Sequence, residues 1–242
     1  MTLENSPVAL ITGAGSGIGR AISLQLAGDN HRLALVGRTE SKLRETRDLI
    51  NNHHNPAPEI LIVTSDLGAS DQPARIVEQI MRRFGRVDVL INNAASGPFA
   101  PVEKLDEHAL HQAFEVNLFG PMRLISCLWP VFLEQGAGCV VNISSMATVS
   151  PFPGLSIYAA SKSGLESMTR SIHNEGAEKG IRVWSIAPGA VETSMLRNLI
   201  SREELPTKMT LSPEAVARVV VECVLGRRAE PAGSVIVLPS PQ

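Results

Sequence analysis

Short apolar runs rich in β-branched residues alternate with longer segments of helical periodicity along the whole 242-residue chain. Strands buried on both faces of a parallel sheet read as continuous apolar runs, and the crossover helices between them read as amphipathic stretches. On that basis seven strands are predicted: Val8 to Thr12, Arg32 to Val36, Glu59 to Thr64, Val87 to Asn92, Gly138 to Ser144, Arg182 to Ala187 and Ser234 to Leu238. Helices are predicted over Ile18 to Ala27, Ser41 to Asn52, Gln72 to Phe84, Glu107 to Glu134, Ser156 to Lys179 and Pro213 to Leu225. The alternation implies an α/β architecture, a doubly wound parallel sheet with helices on both faces. Pro130 lies inside the longest helical stretch. It should kink or divide that helix, because it removes an amide donor and clashes with the preceding turn. No repeat or low-complexity linker interrupts the pattern, and the cluster Gly97-Pro98-Phe99-Ala100-Pro101 suits a loop at a strand end, so one domain over 1–242 is expected.

Composition narrows the function. With 44% hydrophobic residues the chain is long enough for one large, well-buried core. A net charge of −2 and a pI of about 6.3 leave no electrostatic footprint for nucleic acid or an anionic membrane. Met1 to Ser6 is polar and acidic, without the basic and apolar blocks of a leader. No run approaches the roughly 18 uninterrupted apolar residues of a membrane span. A soluble, cytoplasmic protein is expected. Cys127, Cys139 and Cys223 are odd in number and widely spaced, as suits small hydrophobes in a reducing compartment. His53 and His54 sit in a polar stretch without acidic or thiol partners, which predicts a solvated loop and no metal site. Arg82, Arg83 and Arg86 cluster where cations complement a helix carboxyl end.

Two local patterns carry chemistry. Thr12-Gly13-Ala14-Gly15-Ser16-Gly17-Ile18-Gly19 follows the first strand and opens the first helix. Glycines there permit a tight turn and close approach of backbone to a pyrophosphate, and the helix amino terminus offers free N–H groups to the anion. Farther on, Tyr158, the only tyrosine, precedes Lys162 by four residues, so both lie on one helix face. A tyrosine of ordinary pKa, about 10, exchanges protons poorly near neutrality, and a desolvated lysine beside it should favour the phenolate. Tyr-x-x-x-Lys alone equally describes a buried tyrosine with a lysine reaching to solvent. What adds to it is Ser145, at the carboxyl end of the apolar strand ending Ile143-Ser144-Ser145.

The glycine spacing T-G-x-x-x-G-x-G, taken with Ser145, Tyr158 and Lys162, resembles the short-chain dehydrogenase/reductase family, and its 3-oxoacyl reductases in particular. The resemblance covers nearly the whole chain. It extends to Asn92-Asn93-Ala94-Ala95 after the fourth strand, to Asn117 in a long helix, and to Pro188-Gly189 followed by Val191 and Thr193. It implies a single Rossmann domain with a substrate loop near 194–212. It further implies catalysis by Asn117, Ser145, Tyr158 and Lys162, with the serine thirteen positions before the tyrosine selecting Ser145 over its neighbour Ser144. The dinucleotide would be held by Gly13, Gly15, Ser16, Gly17, Ile18, Gly19, Arg38, Asp66, Leu67, Asn93, Ala94, Ile143, Tyr158, Lys162, Pro188, Gly189, Val191 and Thr193. Asn117 would position a water that relays protons to Lys162. A homodimer or homotetramer is also implied, although the carboxyl end, Val235 to Gln242, lacks the family's D-G-G ending. Ala95 stands where the family usually has glycine, which bears on substrate size.

The second strand ends Val36-Gly37-Arg38, with no acid to bind a ribose 2′-hydroxyl. Arg38 can meet a 2′-phosphate with a planar fork of donors, so NADP(H) is favoured over NAD(H). Arg38 stacked on adenine or solvated is the alternative. Asp66 resembles the residue that binds the adenine edge, and it could equally cap a turn. The pocket walls expected from position are Ala95, Ser96, Ala147, Phe152, Leu155, Met195 and Leu196, mostly apolar. They suggest a small-molecule carbonyl or alcohol on a hydrophobic framework. Arg197, Arg202 and Lys208 could meet an acidic carrier, although scattered loop charges are more often solvated. Three other functions compete with NADP(H)-linked ketone–alcohol interconversion: NAD-linked alcohol dehydrogenation, dinucleotide sensing without catalysis, and sugar-nucleotide epimerisation or dehydration. Relatives of the last kind are usually longer and differ in glycine spacing.

Overall fold

All seven strands run parallel in one sheet, in the order β3-β2-β1-β4-β5-β6-β7. The computed structural model describes residues 6–241; Met1 to Asn5, most of the segment examined for a leader, and Gln242 lie outside the described residues. The strands are β1 (Val8–Thr12), β2 (Arg32–Gly37), β3 (Ile60–Thr64), β4 (Val89–Asn92), β5 (Gly138–Ile143), β6 (Ile181–Pro188) and β7 (Val235–Leu238). Each falls within two residues of its expected span.

Alternation along the strands sorts the core into two layers. Ala9, Ile11, Leu33, Leu35, Val141 and Ile186 point to the face covered by α1 (Gly17–Gly28), α2 (Glu40–His53) and α8 (Pro213–Val224). Val8, Leu10, Ala34, Val36, Leu90, Val140 and Val183 point to the other face. There they meet α3 (Gln72–Phe84), α5 (Gly120–Gln135) and α6 (Ser156–Gly176). Burial on both sides is what the continuous apolar runs report.

The longest helical stretch departs from expectation. It divides at a π-helical turn, Glu115–Phe119, between α4 (Glu107–Phe114) and α5, and not at Pro130, which sits within α5. The helix accommodates the proline without ending there. By composition the run Glu107–Gln135 is apolar enough to cross a membrane. Its buried residues Leu124, Ile125, Leu128 and Phe132 belong instead to the core against α3 and β5. A second small correction concerns His53, which closes α2 and hydrogen-bonds the Leu49 carbonyl; the loop starts only at His54.

Strand order reverses between β1 and β4, and in open α/β sheets ligands sit outside the strand carboxyl ends at such a switch point. Thr12, Asn92, Asn142 and Ser144 are all buried polar residues at this end of the sheet.

Candidate active site

The glycine turn is shaped by what no side chain could share. A Cβ on Gly13, whose φ is +67°, would lie 2.7 Å from Asn93 Nδ2, and one on Gly19 would overlap the Gly13 carbonyl oxygen. Gly17, at φ +50°, would press on Thr193 at 3.0 Å. Side chains around the turn hold it from outside. Asn93 Nδ2 donates to the Thr12 carbonyl at 2.9 Å, and Thr12 Oγ1 accepts from the amides of Asn93 and Ala94. Arg20 donates to the Gly15 carbonyl at 2.6 Å and to Thr46, whose hydroxyl in turn donates to the Ala14 carbonyl. Arg20 and Thr46 carried no signal in the sequence, because their part is to brace backbone.

Ser16 stands at the amino cap of α1 and makes no capping hydrogen bond, so its side chain leaves the first N–H groups of that helix free. The cradle therefore fits a dinucleotide pyrophosphate: backbone donors, a positive dipole end and no Cβ in the way. Arg38 is exposed just past β2 and makes no hydrogen bond or ion pair among the described residues. Asp66 is exposed and accepts from the Gly68 amide at 3.0 Å, a turn-capping bond that occupies one carboxylate oxygen. Leu67 and Val191 turn their side chains into the core. Gly189 donates its amide to the Leu238 carbonyl, and Thr193 caps α7 (Ser194–Arg197) by accepting from the Leu196 amide.

Across the switch point the construction changes to buried side chains. Lys162 is 1% exposed and donates from Nζ to the Ile143 carbonyl at 2.7 Å. Its Nζ lies 5.8 Å from the centre of the Tyr158 ring. Burial pushes the lysine down to about 7, and the carboxylate of Glu166 works in the opposite direction. Tyr158 corrects the expectation of a lowered phenol. Burial raises it, and the hydroxyl of Ser145 beside it only partly offsets that rise.

The two neighbouring serines separate cleanly. Ser145 caps the turn Met146–Thr148, its Oγ accepting from the Ala147 amide at 3.1 Å, with the phenol on its other side. Ser144 is buried and donates to Glu166 Oε1 at 2.6 Å. Asn117 is fully buried in the π-helical turn. Its amide nitrogen donates to the Ser96 carbonyl at 2.7 Å and to Ser161 Oγ at 2.9 Å, while its oxygen accepts from the Ser96 amide. Both amide protons are thus engaged in tying the loop after β4 to α6. One-turn π-helices concentrate at functional sites, because they re-aim a side chain within a helix.

The expected substrate walls fall into two groups. Ala95, Ser96 and Leu155 are half-buried at the cleft. Phe152 is exposed, at 66%, and Ala147 is buried, contributing its amide to Ser145. Sequence reasoning missed Gly97, where a Cβ would lie 3.7 Å from the Tyr158 ring and 3.8 Å from Met195 Sδ. It also missed Phe99, whose ring lies against Gly154 while the Ala100 amide donates to the Gly154 carbonyl. Arg197 is not free for an acidic carrier: its Nε donates to Glu192 Oε1 at 2.9 Å, and Arg202 reaches the same oxygen at 3.2 Å. Held mainly by Arg197, Glu192 stays ionised down to about 2. Among the described residues no group of three or more His, Cys, Asp or Glu could hold a metal ion.

The profile of the short chain dehydrogenase family matches residues 7–204. The chain belongs to that family. It is 34% identical over 232 residues to a 3-oxoacyl-[acyl-carrier-protein] reductase of Thermotoga maritima, covering 91% of each chain. An uncharacterised oxidoreductase of Staphylococcus saprophyticus is 33% identical over 188 residues, 78% of this chain and 80% of the relative. Among solved structures, levodione reductase superposes with a TM-score of 0.89 at 27% identity, covering 96% of both chains. Actinorhodin polyketide ketoreductase with NADPH gives 0.89 at 29% identity, covering 99% of this chain and 98% of the other. Family membership makes the protein an oxidoreductase of the CH–OH/carbonyl couple that works with a nicotinamide dinucleotide.

Proposed function

We propose that this family member is an NADP(H)-dependent reductase of ketones, with Tyr158 as its general acid and base. The observation that carries the reading is the meeting of Ser145, Tyr158 and buried Lys162 across from a glycine cradle, with Arg38 unpaired at the end of β2. Bound NADP(H) supplies and accepts the hydride. The chain supplies the rest.

With its phenol raised by burial, Tyr158 carries a proton near neutrality and can donate it to a carbonyl oxygen. Ser145, beside it, can donate a hydrogen bond to the same oxygen as charge develops. Lys162 keeps two of its three N–H donors after bonding Ile143, and these suit ribose hydroxyls. As a cation it would make the phenolate easier to form when the proton leaves. Asn117 braces Ser96 against α6, so that the loop after β4 and the tyrosine keep their spacing. A water relay, if Asn117 supports one, would use groups other than its amide protons.

An uncharged, largely apolar ketone is the substrate class we infer. Phe99, Phe152 and Met195 are exposed around the mouth, and Arg197 and Arg202 are taken up by Glu192. That favours a free small molecule over a substrate tethered to an acidic carrier. The same reading includes self-association in the cytoplasm, supported by exposed Phe119, Met122 and Leu133 along the π turn and α5. The test is consumption of NADPH and NADH, in parallel, with acetophenone, cyclohexanone and ethyl benzoylacetate as probes. Turnover with NADPH well above NADH supports the proposal. Faster turnover with NADH would move it to NAD-linked alcohol oxidation, and dinucleotide binding without turnover of any ketone or alcohol would favour a sensor.

A further inference from the structure

Helix α6 carries a third ionisable side chain in line with the two already described. Glu166 follows Lys162 by four residues, as Lys162 follows Tyr158, and residues so spaced lie along one helix face. Glu166 is only 8% exposed, which is rare for a carboxylate. Among the described residues it forms no ion pair, and two hydroxyls hold it instead. Ser144 Oγ donates to Oε1 at 2.6 Å and Thr148 Oγ1 lies 3.0 Å from the same oxygen. Both hydroxyls belong to the turn that presents Ser145, one residue before it and three after, and Thr148 shares its single proton between Glu166 and the Ser145 carbonyl at 2.9 Å. The carboxylate is therefore held by the serine turn and lies one helical turn from Lys162 on the same face of α6.

We propose that Glu166 is a positioning residue for the reaction, its charge keeping Lys162 protonated while Ser144 and Thr148 hold the carboxylate in place. The proposal rests on the reading of Tyr158 and Lys162 given above. A lysine buried to this degree loses its charge unless something opposes desolvation. Glu166, buried one turn along the same helix face, opposes that loss of charge. The other ionisable groups on packed elements lie elsewhere. Glu115 of the π turn is paired with Arg123, and Glu107, His108 and His111 of α4 are exposed. Cys139 and Arg182 stand opposite in register near the other end of β5 and β6, and the Arg182 guanidinium donates to the Val224 carbonyl. Glu178 and Lys179 follow the end of α6, and the turn Met146–Thr148 contains no ionisable residue. Arg170, one turn beyond Glu166 on α6, is exposed, and Tyr158, raised by burial, is neutral.

The experiment is a pH titration of the Lys162 resonance in protein labelled with [13C]lysine, for wild type, Glu166→Gln and Glu166→Asp, with Lys162→Met to assign the signal. Gln keeps an acceptor for Ser144 and Thr148 and removes only the charge. The Lys162 midpoint should fall by about one pH unit in Glu166→Gln, the low end for loss of a nearby opposite charge. It should return toward wild type in Glu166→Asp. The basic limb of the kcat profile, taken with whichever ketone probe wild type reduces fastest, should move down by the same amount. An unchanged midpoint in Glu166→Gln, or an equal fall in Glu166→Asp, would overturn the proposal. Should wild type reduce no ketone with either dinucleotide, the functional reading fails, and the lysine midpoint still decides the coupling.

Discussion

On the β1–α1 side of the cleft the working parts are main-chain: Gly13, Gly17 and Gly19 clear space, and the amides of α1 are left open. On the β5–α6 side they are side chains tied to one another, with Lys162, Glu166, Ser144 and Asn117 buried and Ser145 and Tyr158 half-buried. Lys162 bonds Ile143, Glu166 holds Ser144 and Thr148, and Asn117 joins Ser96 to Ser161. The contrast follows from the task. Binding a pyrophosphate needs many modest donors in one concave backbone, which glycine allows. Moving a proton needs a few titratable groups whose surroundings shift them, and only burial among polar partners does that. Backbone damage on the first side should therefore abolish binding and turnover together, whereas side-chain changes on the second should separate them.

Gly19→Ala is the harshest test of the first side. The new methyl would overlap the Gly13 carbonyl and come 2.5 Å from Asn93 Nδ2. Overpacking of this kind costs about 1–3 kcal/mol, so the thermal midpoint should drop. Dinucleotide affinity should fall at least about tenfold, since roughly 1.4 kcal/mol of lost binding corresponds to that factor. Fluorescence titration with NADPH, beside a melting curve, checks both. Near-normal binding would mean that the cradle is not where the dinucleotide sits.

A more selective effect is expected at the edge of the same half. Arg38→Ala should weaken NADPH binding by about 10- to 100-fold, because a hydrogen bond to a charged group is worth about 1.5–3 kcal/mol. NADH binding should hardly change. Equal losses for both dinucleotides would instead point to adenine stacking as the arginine's role.

A pH-dependent change in stability is expected on the catalytic side. Lys162 is lowered from 10.5 to about 7 in the folded chain, mainly by burial. Between those values the unfolded chain binds more protons than the folded one, so this group makes stability rise with pH. Below about 7 the buried lysine is charged in both states and its full desolvation penalty stands. Lys162→Met should accordingly raise the melting temperature most below pH 7, and the gain should shrink as pH climbs toward 10.5. A gain independent of pH would contradict the burial account of this lysine.

The periodic core was readable from the chain almost residue by residue, because strands buried on both faces leave no choice of pattern. The glycine turn was equally legible, since its constraint is local. What escaped depended on contacts between distant segments. The break at Glu115–Phe119 is followed at once by Gly120-Pro121, a signal that the long apolar periodicity masked, whereas Pro130 announced a break that does not occur. Glu166 looks like any solvated helix carboxylate until β5 and the Ser145 turn pack over it. Arg197 and Arg202 read as free charges until the fold brings Glu192 between them. Ser144 and Ser145 differ by a single position; the family resemblance selected Ser145, but that Ser144 bonds Glu166 while Ser145 caps the next turn emerged only in the fold.

The separation of binding from turnover is tested most directly with Tyr158→Phe, measuring NADPH affinity and ketone reduction on one preparation beside wild type. Loss of a positioned acid and base should lower kcat by about 10²- to 10⁴-fold, with NADPH affinity close to wild type. Retained reduction would contradict the assignment of the proton to Tyr158, and loss of NADPH binding along with turnover would contradict the division of labour between the two halves of the cleft.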